Sequence, residues 1–133
     1  MPRTRTDATA AWALAALMVV SGVTHFTAPG YHRSLVPSWL PARSALVAVS
    51  GLADVAAGVL VAVPATRRTG GWATAALVTT YLPAHLEPLR HRHTAQRAFD
   101  RPVGVAARVA VNLGYVAWAA AVARRATGRP RTG

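Results

Sequence analysis

Apolar residues gather along this chain into four long runs separated by short polar stretches. The runs cover about 8–28, 44–63, 70–86 and 103–123. A helix of about 20 such residues crosses a hydrocarbon core roughly 30 Å thick. Pro29 and Gly30 break the first run, Pro64 ends the second, and the tight turn "PATRRTGG" leads into the third. The stretch "YHRSLVPSWLPAR" is too short and too rich in proline to span. Its Tyr31, Trp39 and Leu40 mix with His32, Arg33 and Arg43, which suits a re-entrant or surface-lying loop. The pattern predicts an all-α, polytopic membrane protein. Short connections favour an antiparallel four-helix transmembrane bundle over residues 1–123, followed by a basic, disordered tail at 124–133.

Composition strengthens this reading. Hydrophobic residues make up 53% of the chain and charged residues 14%, against roughly 25% charged in soluble domains. Net charge is +11, and all 15 basic residues are Arg. A basic chain could bind nucleic acid. Here the arginines cluster at helix ends, where they anchor loops near anionic lipid, so the partner is the bilayer and not nucleic acid. Eight arginines fall at the termini and the second turn, against six in the other two connections. That excess places both termini in the cytoplasm, with the chain in the cell membrane. The N-terminal apolar stretch is long for a signal peptide and lacks a small-residue cleavage site, so it reads as the first membrane helix. With no cysteine in the sequence, disulfides and thiol catalysis are excluded within this chain.

Five polar residues stand out inside the runs: His25, Asp54, His85, Arg108 and Asn112. At 1.5 Å per residue, His25 and His85 lie roughly 5 Å from the outer face, Arg108 roughly 8 Å, and Asp54 and Asn112 roughly 15 Å. All five share one half of the bilayer. Around Asp54 the same helix face carries Ser50, Gly51, Ala57 and Gly58, and around His25 it carries Ser21, Gly22 and Ala28. Small residues mark packed helix interfaces, so both side chains should point inward. A carboxylate at mid-membrane costs about 2.5–3.5 kcal/mol unless it is paired, hydrogen-bonded or protonated. Arg108 and Asn112, four apart on one face, are the expected partners. The bland reading is a polar clamp between two helices; the functional one is a site for a small molecule or a proton.

His25 and His85 should lie level on diagonal helices and could ligate haem, but axial histidines by themselves are an unspecific signal. The "HRH" of His91 and His93 is a weak metal signal in an arginine-rich, solvated loop, so no metal site is assigned. Pro83 should kink the third helix, either as a tolerated irregularity eased by Thr79 and Thr80 or as a device that widens the bundle beside His85. A faint repeat runs through the chain: 29 residues separate His25 from Asp54 and 27 separate His85 from Asn112.

The segments "THFTAP", "VPSWLP", "SGLAD" and "LPAH", with the Arg-led polar face of the last helix, resemble the DoxX-like family of small four-helix membrane proteins. The resemblance covers about 8–123. It departs from the family where Asp54 replaces the usual Glu, His85 the usual Asn, and Ala110 and Asn112 a Pro and a Gln. It implies a four-helix fold in the membrane and, more loosely, an involvement with quinone or redox assemblies. More distant four-helix relatives resemble sterol- or lipid-binding proteins. Three functions follow as expectations. The first is binding of a small quinone- or lipid-like molecule in the outer half of the bundle, with Asp54, Asn112 and Arg108 fixing its polar end. The second is a membrane subunit of a quinone-linked oxidoreductase or oxidative-stress complex, whose partner would supply the electrons. The third is a structural subunit, alone or as a homo-oligomer, with Asp54 as clamp. No catalytic residue is assigned, and no cofactor is required, although a bound quinone fits the first two.

Overall fold

The computed structural model describes residues 4–94 and 97–126. These residues form five α-helices: α1 (Arg5–Thr27), α2 (Pro29–Leu35), α3 (Arg43–Ala62), α4 (Arg67–Leu86) and α5 (Pro102–Arg125). Two 3-10 turns, Glu87–Thr94 and Ala98–Asp100, connect α4 to α5. No strand occurs among the described residues. The four long helices coincide with the four apolar runs, with ends displaced by a few residues. α1 starts earlier than the run because Thr4 and Asp7 form a capping box. Of the segment expected as a disordered tail, Arg124 and Arg125 belong instead to the last turn of α5; residues 127–133 lie outside the described residues.

Two expectations change. The segment after Pro29 is not a loop throughout: it winds into the two-turn helix α2. Pro29 occupies the first turn of that helix, where a missing N–H costs nothing, so it opens one helix as well as closing another. And three helices, α1, α3 and α5, are long and apolar enough to cross a membrane, where four were expected. α4 has the length, but its threonines, Arg67, Arg68 and His85 lower its hydropathy. Two of those threonines bond their own helix: Thr79 Oγ1 donates to the Ala75 carbonyl at 2.7 Å and Thr80 Oγ1 to that of Leu77 at 2.6 Å. They therefore do not serve the carbonyl released by Pro83, which lies within an otherwise continuous α4.

α1 packs along α3, and α4 along α5. α3 meets α4 less extensively, and α5 returns to α1 over a short stretch. The tight pairs are set by small residues. A Cβ on Gly22 would lie 2.5 Å from the Gly51 carbonyl oxygen, and a Cβ on Gly71 would lie 2.8 Å from the Ala123 Cβ and 2.9 Å from the Ala123 backbone nitrogen, so only hydrogen fits at either crossing. Leu14, Val61, Ala75 and Ala119 fill the core at one end. At that same end Asp7 and Arg125 form an ion pair at 3.1 Å, which joins the start of α1 to the finish of α5. The buried Arg67 donates from Nε to the Val61 carbonyl at 2.9 Å and from Nη2 to that of Ala62 at 3.0 Å, satisfying the last turn of α3. The outward faces are apolar: Val49 and Leu52 of α3 and Val20 of α1 are all more than 60% exposed. A face of that character has no place in water and suits lipid.

Candidate functional site

The two helix pairs enclose a cavity of about 300 Å³. All four long helices line it, and α2 closes one end with Tyr31, His32 and Leu35. Most of the wall is aliphatic. Polar groups converge on it from separate helices: Ser21 and His25 from α1, Asp54 from α3, Thr74, Tyr81 and His85 from α4, and Asn112 from α5.

Asp54 is 1% exposed. Its inward direction follows from the small residues beside it, since Gly51, Ala57 and Gly58 are buried against neighbouring helices. Its partners are not those the sequence suggested. Tyr81 donates from its hydroxyl to Oδ1 at 2.7 Å, and Ser21 donates from Oγ to Oδ2 at 3.0 Å. The reason is topological. α3 and α5 have no substantial contact, because α4 and α1 lie between them. Arg108 lines a different recess, where Nη2 stands 3.6 Å from Asp100 Oδ1. Asn112 does reach the central cavity, but its Nδ2 donates to the Arg108 carbonyl one turn back on its own helix at 2.8 Å. Asp54 therefore links α3 to α1 and α4, not to α5.

Two polar atoms facing this cavity lack partners. Thr74 is fully buried, and its hydroxyl has no hydrogen-bond partner among the described residues; the same holds for Nδ1 of His85. Buried polar atoms are normally satisfied by protein, water or ligand. Thr74, Tyr81 and His85 fall on one face of α4 by helical spacing, together with Val78. That stripe was legible in the sequence, but hydroxyls in an apolar helix usually bond their own backbone and draw no notice. Ser21 was noticed only for its size.

At the α2 end, His25 and His32 stack with ring centroids 3.9 Å apart and planes tilted by 31°. Nδ1 of His25 lies 2.9 Å from the Ser21 carbonyl, and Nδ1 of His32 lies 3.1 Å from that of Ala28. Tyr31 meets the His32 ring edge-on. Partial burial holds His32 below its ordinary value of 6.5; its bond to the Ala28 carbonyl opposes that, and the adjoining His25 adds to it. The folded protein thus resists protonation of His32 that the unfolded chain accepts. Stability from this group is present above pH 6.5 and falls as pH drops toward the lower folded value. Thermal melting between pH 7.5 and 5 should show that decline, and His32→Gln should flatten it. An unchanged slope in the variant would remove His32 from the account.

The model of a family described as a domain of unknown function, DUF8561, matches residues 14–123. The chain belongs to the DUF8561 family. No curated protein and no solved structure matches it. The span matched to DUF8561 takes in every residue that lines the central cavity and leaves out the Asp7–Arg125 pair.

Proposed function

We propose that this DUF8561 protein is a four-helix transmembrane bundle, a relative of the DoxX-like proteins, that holds a small lipophilic molecule with a polar end in its central cavity. α4 supplies the fourth crossing. Its 20 residues reach roughly 30 Å at 1.5 Å each; beyond its first turn, Thr79 and Thr80 bond their own backbone and Thr74, Tyr81 and His85 line the cavity. The Asp7–Arg125 pair, which brings the start of α1 beside the finish of α5, supports a reading with both termini on one side; the small arginine excess there supports the cytoplasm of a cell membrane as that side.

The observation that carries the reading is the cavity itself, apolar in most of its wall, with the Thr74 hydroxyl and His85 Nδ1 buried and unsatisfied. Pockets of this size and character are typical of small-molecule sites. Both atoms can donate to a carbonyl oxygen, which suits a quinone or a keto or hydroxyl lipid. A quinone there would bring two-electron chemistry, with the electron source on a partner protein.

Mass spectrometry of the organic extract from gently purified protein tests this. The wild type should carry an enriched lipophile, and Ala84→Phe, which fills the cavity from α4, should lose it while keeping its melting temperature. Identical extracts from both would reject the binding reading. They would favour the second one, supported by the bonds that Asp54 accepts from two neighbouring helices: a structural subunit clamped at Asp54.

A further inference from the structure

Arg108 faces a recess of about 430 Å³ beyond the α2 end of the central cavity, where the connection from α4 meets the start of α5. Tyr31 and Leu35 of α2 border both spaces. The Arg108 side chain is 14% exposed. Its Nε and Nη2 are buried, and neither has a hydrogen-bond partner among the described residues. Those two N–H groups form one edge of the guanidinium, the fork that receives two oxygens of a carboxylate or phosphate at once. Asp100 stands beside the edge, with Oδ1 3.6 Å from Nη2, beyond hydrogen-bonding distance. It lowers the local charge and leaves the fork open. The other acid in the wall, Glu87, is already engaged: Arg90 lies 3.7 Å away and the Ser38 N–H donates to it at 3.5 Å. Arg97 and His91 add basic character to the same wall.

We propose that the Nε–Nη2 edge of Arg108 is a binding site for an oxyanion, a carboxylate or phosphate group, brought by a lipid headgroup or by a soluble anion. The site is independent of what occupies the central cavity. Arg108 lies less than two turns into α5, close enough to the end of the apolar span for its long side chain to reach toward headgroup depth, and the open fork is the feature such a group would complete. Asp100 competes for the edge, so it weakens the bound anion.

The full chain reconstituted in phosphatidylcholine nanodiscs provides the test. Binding is read by thermal shift and native mass spectrometry, with phosphatidic acid in the disc or inorganic phosphate in solution as probes. Arg108→Gln should weaken binding about tenfold or more, as expected for loss of charge-assisted bonds. Arg108→Lys, which keeps the charge without the fork, should recover it only in part. Asp100→Asn should tighten binding, and it carries the test by itself if the Arg108 variants do not fold. Binding of phosphatidic acid only assigns the site to a headgroup; binding of phosphate only assigns it to a soluble anion; binding of both supports a general oxyanion site. If neither probe binds, or if binding ignores Arg108 and Asp100, the proposal is wrong and Arg108 serves only to hold the Ala98–Asp100 turn.

Discussion

Asp54→Ala is expected to destabilise the protein by about 2–4 kcal/mol, because it removes the acceptor shared by two half-buried hydroxyls, each at about 1–2 kcal/mol, and leaves Tyr81 only the Ser50 carbonyl at 3.4 Å. Tyr81 and Ser21 both donate to this carboxylate from helices on either side of it, and Asp54 is itself 1% exposed. Asp54→Asn retains the shape and one acceptor and should cost less, about 1 kcal/mol. Tyr81→Phe should be costly in the wild type and nearly neutral in Asp54→Ala, since the two share one interaction. Unfolding in mixed micelles measures all three. A change below about 0.5 kcal/mol for Asp54→Ala, the range of an ordinary surface substitution, would mean that the carboxylate holds nothing together.

Gly22→Ala should be damaging although it adds a single methyl, at about 1–3 kcal/mol. Its Cβ would meet the Gly51 carbonyl oxygen at 2.5 Å and the Val55 nitrogen at 2.9 Å. Both are backbone atoms, so relief requires α1 and α3 to move apart, which would also lengthen the Ser21–Asp54 bond one residue away. Gly114 provides the control. A Cβ there meets nothing within 4 Å, and Gly114→Ala should be neutral or stabilise the helix by up to about 1 kcal/mol. Equal effects at the two positions would show that backbone proximity is not what holds this helix pair.

Much of this arrangement was legible before any coordinates. The spacing of apolar runs located the four long helices, of which α1, α3 and α5 are long and apolar enough to cross a membrane. Small residues around Asp54 and His25 indicated which way those side chains point, since a close helix crossing leaves no room for larger ones. The partner of Asp54 was misread because charge was followed in preference to adjacency. Arg108 is the only cation near the right depth, but it rides on the helix opposite α3. The hydroxyls that do serve Asp54, on Ser21 and Tyr81, carry no hydropathy signal strong enough to stand out. α2 was missed because a proline that closes one helix is indistinguishable in sequence from one that opens the next.

The division into two tight helix pairs has a consequence for how the chain comes to be made. α1 and α3 can settle against each other through Gly22 and Gly51 as soon as both have left the ribosome, with Ser21 already in reach of Asp54. The second bond to that carboxylate has to wait for α4, since Tyr81 is translated 27 residues after Asp54. Until the later hairpin docks, the early one presents a half-satisfied acid to the bilayer. Docking of α4 supplies the missing bond and a wall of the cavity in one step, since Tyr81 both bonds Asp54 and lines that space.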